Sequence, residues 1–418
     1  MAARAIIPAV DVSFKQELER QLAQLPAART LAERLGDADG VYLVGGTVRD
    51  LLSATAPLDL DLVVDGDTAA VAGRLGVPRR THDRFATCEV TLDGMRCDLA
   101  RARRERYPSP GALPVVEPAT IEEDLWRRDF TVNALALPIG RARGATLLDV
   151  TGGLRDLRSG TLRVLHDASF IDDPTRLLRL ARYASRLGLE PDRHSRALAD
   201  AALTGGALAT VSPTRIGAEL RLALAEPDPV RAVSALTELG VARGLAPGLG
   251  LDDDDAQLAR SALALLPDDG DAGALTLAAA ARTLAPERLR ELLDTLAFPA
   301  GRRERVVAAA VGADRLATTL AGAGSPSAIA AVAAGAPVEA VALAGALGPQ
   351  RTAREWLERL RHVGLEIDGD DLLEAGITRG PAVGAGLAAA RAARLDGRAP
   401  GRDAQLEVAL RAAAAHGA

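Results

Sequence analysis

Two short stretches decide the fold: Gly45–Asp50 reads GGTVRD, and Asp59–Asp61 reads DLD. The first follows Val41–Val44, an apolar run that is typical of a buried strand entering a tight turn. The second lies within Leu58–Val64, where apolar and polar residues alternate with a period of two. This alternation predicts a strand with one apolar face and places both aspartates together on the other face.

The two aspartates and the two glycines suggest a site for a metal ion and a triphosphate. Asp59 and Asp61 repel each other unless a cation lies between them, and magnesium prefers such oxygen ligands. Gly45 and Gly46 let backbone N–H groups approach phosphates at a helix N-terminus, and Arg49 can reach the same phosphates. Each stretch alone also fits a plainer interpretation, a solvated strand face or an ordinary turn. Their order and close spacing favour the metal and phosphate site.

A hairpin is predicted just after these strands. Two strand-like runs flank Asp93-Gly94, a pair that is typical of a two-residue hairpin turn. Such a turn places Glu89 opposite Asp98. The hairpin can then bring Asp98 beside Asp59 and Asp61 as a further carboxylate for the metals, and a salt bridge to a nearby arginine is the equal alternative.

The chain has only two cysteines, Cys88 and Cys97, in 418 residues. In the hairpin register we expect them to be offset by one residue and to point to opposite faces, which disfavours a disulfide. So few thiols are typical of a reducing compartment. The N-terminal residues lack a signal-peptide pattern, and no stretch offers the ~20 strongly apolar residues of a membrane span. We therefore expect a cytoplasmic protein with no membrane partner.

After Gly160 the pattern becomes helical and stays so to the end. Proline at the start and glycine just past the end of several segments mark helix termini. Thr47 and Asp67 are expected to cap two helices of the preceding region. The sequence thus predicts an α+β chain, with an N-terminal head of strands and helices and an all-helical remainder. The predicted helices include 14–35, 174–187, 194–203, 213–225 and 229–239.

Asp173 and Arg176 are three residues apart on a predicted helix and therefore share a face. Cytosine and adenine both present an exocyclic amine beside a ring nitrogen acceptor. A carboxylate accepts from the amine while a guanidinium donates to the ring nitrogen, whereas uracil and guanine leave both protein groups unpaired. The pair therefore suits the selection of CTP and ATP without a nucleic-acid template. A helix-surface salt bridge is the plainer alternative.

Gly45–Asp50 with Asp59–Asp61 resembles the first motif of the class II tRNA nucleotidyltransferase and bacterial poly(A) polymerase family. The C-terminal segment from Ile367 to Pro381 also resembles the tail of bacterial members. Four further stretches follow in the family's order and resemble its ribose-and-triphosphate motif, its connector, its base-recognition motif and its last neck helix: Arg127–Ala134 (RRDFTVNA), Asp149–Leu157 (DVTGGLRDL), Asp172–Arg176 (DDPTR) and Ser212–Leu220 (SPTRIGAEL).

The resemblance implies a polymerase-β-like nucleotidyltransferase head with a mixed sheet, followed by a helical neck, body and tail. It implies the addition of CMP and AMP from CTP and ATP to the 3′ end of tRNA (CCA addition), with two Mg²⁺ ions held by Asp59 and Asp61. The expected boundaries are an N-terminal helical extension at 1–27, the head at 28–155, the neck at 156–225, and the tRNA-binding body and tail at 226–418.

The resemblance also assigns individual residues. It implies that Arg128, Asp129 and Asn133 hold the ribose and phosphates, and that the pair Asp173 and Arg176 reads the base. Without the resemblance, Arg128 would be interpreted as part of an exposed helix start. The family usually has Glu-Asp where this chain has Asp172-Asp173, so the first acid has a shorter reach.

Several functions remain open at this point. The motifs do not separate full CCA addition from CC-only addition, A-only addition or poly(A) synthesis. A non-catalytic RNA-binding protein is disfavoured because Asp59 and Asp61 are intact. A small-molecule nucleotidyltransferase is disfavoured by the long helical remainder, which suits a large substrate. The oligomeric state is not indicated by the sequence.

Overall fold

The computed structural model describes residues 20–76, 79–82, 87–139 and 147–417. Most of the predicted N-terminal extension at 1–27 therefore lies outside the described residues. Of its remainder, residues 20–24 are helical, and the first complete helix begins at Pro26.

The described chain forms two compact units. The first comprises the residues up to Glu219 together with Leu239–Gly244, and the second comprises Leu220–Glu238 and the residues from Leu245 onward. The predicted head and most of the predicted neck therefore fall in one unit, which ends before the expected neck boundary at residue 225. The division into extension, head, neck and body stays a prediction.

The first unit is built on a mixed sheet of six strands in the order β3-β4-β5-β2-β1-β8. Strands β2 and β5 run parallel, and the other neighbouring pairs run antiparallel. Strands β6 and β7 form a separate antiparallel pair. The bounds are β1 Val41–Val44, β2 Leu60–Val64, β3 Arg79–His82, β4 Thr87–Leu92, β5 Met95–Arg101, β6 Arg103–Arg106, β7 Val115–Pro118, β8 Ala136–Ile139, β9 Thr161–Leu162 and β10 Glu190–Pro191.

Helices make up most of the remaining structure, so the predicted α+β fold with its mixed sheet is confirmed. The short parallel pair β9–β10 interrupts the region that was expected to be wholly helical. The helices are α1 Pro26–Arg34, α2 Gly45–Leu52, α3 Thr68–Leu75, α4 Ile121–Trp126, α5 Gly153–Ser159, α6 Ser169–Asp172, α7 Thr175–Leu187, α8 Arg193–Thr204, α9 Pro213–Leu224, α10 Pro229–Glu238, α11 Val241–Leu245, α12 Asp253–Leu263, α13 Ala272–Ala280, α14 Pro286–Thr295, α15 Ala300–Ala321, α16 Pro326–Val332, α17 Val338–Ala346, α18 Gln350–Glu358, α19 Gly369–Glu374, α20 Pro381–Leu395 and α21 Arg402–Gly417.

The sheet presents an apolar surface to the helices that carry site residues. Val44 and Val63 come from neighbouring strands and pack in one buried cluster with Leu125 of α4 and Ala134. This cluster packs α4 against β1 and β2, whose antiparallel pairing places the carboxyl end of β1 beside the start of β2. The residues that follow α4 are thereby held close to the Gly45 turn.

The second unit is helical and its interior consists largely of alanine and leucine. The α13 helix is buried from Gly273 to Ala280, because small side chains allow neighbouring helices to approach closely. Near the C-terminus, Ile367, Leu372 and Ala390 form a separate buried cluster with α21. Among the described residues, no helix combines the length and apolar character that a membrane crossing requires.

One of the two predicted helix caps is confirmed and the other is wrong. The Asp67 carboxylate accepts hydrogen bonds from the N–H groups of Ala69 and Ala70 at the start of α3. Helix α2 instead begins at Gly45 without a side-chain cap. The Thr47 hydroxyl accepts from the Asp61 N–H at 2.8 Å and so ties α2 to β2.

The hairpin register is confirmed, but the inference drawn from it for the cysteines is wrong. Glu89 pairs with Asp98, so Cys88 pairs with Leu99 and Cys97 pairs with Val90. The two cysteines are therefore offset by two residues and share one face of the sheet. Both are buried. They form no disulfide with each other, because diagonal neighbours across a hairpin lie farther apart than directly opposed residues.

Candidate active site

A left-handed glycine opens the site. Gly45 has φ +62°, and a Cβ atom there would lie 2.8 Å from Nη1 of Arg128. Glycine therefore allows both the turn at the end of β1 and the close approach of the guanidinium. Gly46 follows on α2, also near the Asp61 carboxylate.

Asp61 and Asp59 lie beside this turn. Asp61 is the second residue of β2, and Asp59 immediately precedes the strand and is 37% exposed in its side chain. Burial and then the charge of Asp59 raise the pKa of Asp61 to about 6. An added cation would stabilise a partly buried carboxylate that lies close to a like charge, so these two residues fit a divalent metal ion.

Asp98 lies next to the same carboxylates. It pairs directly with Asp61 between the parallel strands β2 and β5. The alternative of a hairpin ion pair also holds, since Arg96 contacts Asp98 at 3.4 Å and Asp59 at 2.6 Å. Over the described residues, no group of three or more His, Cys, Asp or Glu side chains is arranged to hold a metal ion. Two carboxylates with substrate phosphates as the further ligands are nevertheless a usual magnesium site.

The predicted ribose and phosphate residues form a buried network. Asp129 accepts from Phe130 N–H, from the Asn133 side chain at 3.0 Å and from Arg179 Nε at 2.9 Å. Burial raises the pKa of Asp129, but the Arg179 charge and the hydrogen bond from Asn133 outweigh it and bring the pKa to about 2. Asp129 is therefore ionised and rigidly held.

Arg128 points into the same region. It donates to Asp124 at 3.0 Å and to the Asn133 carbonyl at 3.4 Å. Its buried Nε has no hydrogen-bond partner among the described protein atoms. A buried cation with an unused donor suits an anionic ligand.

Arg49 does not line the cleft, which corrects the expected direct contact with phosphates. Its side chain is 3% exposed and forms an ion pair with Asp50. It also donates to the Asn133 side chain at 2.6 Å and lies over the ring of Tyr183 at 5.4 Å. Enclosed in this way, Arg49 positions Asn133 and the start of α2.

The pair Asp173 and Arg176 is arranged differently from the prediction. Asp173 lies between α6 and α7, and its Oδ1 accepts from Thr175 and from Arg215 at 2.8 Å. Arg176 is buried and donates to Ser169 and to the Arg127 carbonyl at 2.7 and 2.9 Å. The two therefore share no face of a helix and form no surface salt bridge.

These residues meet in one cleft of about 320 Å³, which is the size range of a small-molecule site. The cleft brings together eight of the predicted residues, and Asp59, Asp98 and Arg49 lie outside its lining. The predicted residues in the lining are Gly45, Gly46, Asp61, Arg128, Asp129, Asn133, Asp173 and Arg176.

The lining has six further residues that were not predicted as site residues, although Arg127 belongs to a motif already identified: Glu105, Tyr107, Pro114, Arg127, Arg179 and Tyr183. Arg179 and Tyr183 follow Arg176 at helical spacing on α7, which is a signal that the sequence offered. Glu105 and Tyr107 belong to the arginine-rich β6 region, which gave no such signal. Arg215, which anchors Asp173, lies within a motif already identified and also donates to the Gly111 carbonyl at 3.0 Å.

Comparison with known proteins agrees with this geometry. Residues 41–163 match the model of the Poly A polymerase head domain. The A-adding tRNA nucleotidyltransferase of Geobacter sulfurreducens is 33% identical over 415 residues, which cover 89% of this chain and 45% of that protein. The CC-adding tRNA nucleotidyltransferase of Deinococcus radiodurans is 47% identical over 226 residues, which cover 53% and 59% of the two chains. The chain thus spans about half the length of the curated relatives it matches.

A solved structure extends the likeness to nearly the whole chain. The Thermotoga maritima CCA-adding enzyme complexed with tRNA matches at a TM-score of 0.77 and 26% identity, over 94% of this chain and 98% of that one. The sequence motifs lie in the same order as in the family, and most of their predicted residues converge on one cleft. The chain belongs to the class II tRNA nucleotidyltransferase and bacterial poly(A) polymerase family.

Proposed function

We propose that this protein adds CMP and AMP from CTP and ATP to the 3′ end of tRNA without a template. One observation carries the proposal: a single cleft holds Asp61 beside a glycine turn and, with them, the charged residues Asp173 and Arg176. Phosphate-binding and base-reading groups in one cleft suit a nucleoside triphosphate. The names of the similar enzymes and the tRNA complex of the Thermotoga enzyme support a tRNA acceptor.

The triphosphate would lie against Gly45, Gly46 and Arg128. The left-handed turn leaves backbone N–H groups of the first turn of α2 without a side-chain cap, and such groups bind anions. Arg128 adds a charge with an unused donor. Asn133, held by Arg49 and Asp129, is in position to contact the ribose.

The base would be read by Asp173 and Arg176. Oδ1 of Asp173 already accepts from Thr175 and Arg215, so the second oxygen is the one available to the exocyclic amine of cytosine or adenine. Arg176 is fixed by Ser169 and the Arg127 carbonyl. A fixed acceptor and a fixed donor discriminate strongly, because a base with the opposite pattern leaves both groups unpaired.

The transfer joins the tRNA 3′ oxygen to the α-phosphorus and breaks the bond to the bridging oxygen, so that pyrophosphate leaves and the hydroxyl proton passes to water. Members of this family generally use divalent metal ions, and we propose Mg²⁺ at Asp59 and Asp61, with Asp98 nearby. Two bound Mg²⁺ ions would lower the pKa of the attacking hydroxyl and neutralise the leaving phosphates. Arg128 and the glycine turn hold the triphosphate in line for the attack.

The helical second unit is proposed to contact the tRNA. Aromatic residues make up only 2% of the chain, so recognition by shape and phosphate contacts is favoured over base stacking. A cytoplasmic location is proposed for the protein because its proposed substrate is tRNA.

Partial addition is the second candidate. One relative is named CC-adding and another A-adding, so a chain of this family need not complete all three positions. Poly(A) synthesis has less support, because the head-domain model is named for poly(A) polymerase but both relatives above are tRNA nucleotidyltransferases. A non-catalytic role has less support because both relatives are named as enzymes.

The experiment that separates these functions uses three tRNA substrates, ending at the discriminator base, at CC and at CCA. Each is incubated with CTP, ATP or both, and the products are sequenced. Full CCA addition predicts completion of the first two substrates and no extension of the third. Growth of a long A tail, or no extension of any tRNA, would contradict the proposal, and a stop at CC would establish the partial activity instead.

A further inference from the structure

The carboxylates beside the cleft have a protein cation among them. Arg96 lies on β5 two residues before Asp98, so both side chains share one face of the sheet. Its Nη2 lies 2.6 Å from Asp59 Oδ2 and 3.4 Å from Asp98 Oδ2. Because Asp98 pairs with Asp61 in the neighbouring strand, the guanidinium occupies the edge of the same cluster of acids.

Arg96 is always charged and is able to move. An arginine guanidinium stays protonated at any pH at which proteins are studied. The Arg96 side chain is 54% exposed. A long arginine side chain with an exposed head can therefore leave the carboxylates without a change in the backbone.

We propose that Arg96 is an internal counter-ion that competes with the divalent cation for Asp59 and Asp98. The inference rests on the proposed function, which supplies the cation. In the free protein Arg96 offsets part of the negative charge, so a cation that arrives alone must displace it and binds weakly. A cation that arrives with a nucleoside triphosphate brings its own oxygen ligands and binds more readily. Arg96 thus couples metal uptake to nucleotide binding.

A purely structural ion pair predicts something different. Exposed pairs contribute little to stability, so the loss of Arg96 would then leave cation binding unchanged. The measured quantity must therefore be cation affinity in the absence of nucleotide, and not activity.

The test titrates Mn²⁺, a spin-active substitute for Mg²⁺, into the full chain without nucleotide and follows the electron paramagnetic resonance signal of free Mn²⁺. We expect R96Q to bind Mn²⁺ about fivefold more tightly than the wild type, which corresponds to about 1 kcal/mol. R96K keeps a charge at this position, so a smaller gain is expected. The matched control is R74Q, which removes an exposed arginine of α3 that is paired with Asp37 and should leave Mn²⁺ affinity unchanged.

The outcomes separate the inference from the proposed function. Unchanged or weaker Mn²⁺ binding by R96Q would overturn the inference, and so would an equal gain in R74Q. Adding D59N to R96Q should remove the gain, because Asp59 is the ligand that Arg96 releases; a gain that persists would contradict the assignment. The tRNA extension assay with wild-type protein tests the proposed function alone. If R96Q fails to fold, the Mn²⁺ affinity of R96K is compared with that of R74Q. Tighter binding by R96K is expected, and equal binding would overturn the inference.

Discussion

Asp61→Asn should stabilise the metal-free protein at neutral pH. The pKa of Asp61 rises from 3.8 to about 6 on folding, first through burial and then through the charge of Asp59. Each pKa unit is worth 1.36 kcal/mol, so the ionised carboxylate destabilises the fold by about 3 kcal/mol above pH 6. The folded state binds the proton more tightly than the unfolded state, so this penalty grows as pH rises from about 4 to 6. An amide carries no such penalty.

The assay is urea denaturation in EDTA at pH 4, 6 and 8. In a Trp356→Phe background, Trp126 reports on the first unit alone. We expect the midpoint of Asp61→Asn to exceed that of the wild type at pH 8, with the difference vanishing at pH 4. Added Mg²⁺ should stabilise only the wild type. A variant that is equally or less stable at pH 8 would falsify the inference that the ionised Asp61 carboxylate destabilises the metal-free fold.

Three further predictions test other contacts. Asp173→Ala should weaken the rejection of UTP by one to two orders of magnitude, since a lost charged hydrogen bond is worth roughly 1.5–3 kcal/mol. Arg176→Ala should instead depress the use of CTP and ATP together. Unchanged kcat/KM ratios among the four nucleotides would contradict this. Asp129→Asn should cost about 1–3 kcal/mol at pH 7, since a lost charged hydrogen bond leaves Arg179 only its longer ion pair with Glu219. Because the pKa of Asp129 is depressed to about 2, this stabilisation should be present above pH 4 and decline as pH falls towards 2, as urea midpoints would reveal. Gly153→Ala should destabilise the fold by about 1–3 kcal/mol, because its Cβ would clash with the Thr131 carbonyl. The Cβ of Gly73→Ala meets no atom, so this variant should stabilise the fold by up to about 1 kcal/mol. Equal melting temperatures would refute the steric argument.

The local features of the fold were predictable from the sequence. The alternation around Asp59–Asp61 predicted β2, although the strand begins at Leu60. The pair Asp93-Gly94 predicted a hairpin whose register is correct, and Asp67 caps α3 as expected. In that register Cys88 and Cys97 share one face of the sheet, contrary to the prediction. These features depend on residues close together in the chain, so a period or a turn residue is sufficient to identify them.

The partners of the charged side chains were decided only by the tertiary structure. Arg49 binds Asn133, which is 84 residues away, and Asp173 binds Arg215, which is 42 residues away. Arginine is a long side chain with several donors, so the sequence leaves many carboxylates and carbonyls within its possible reach. Packing of strands and helices determines which of these acceptors lies near, and it thereby determines which arginines face the cleft and which hold other residues in place.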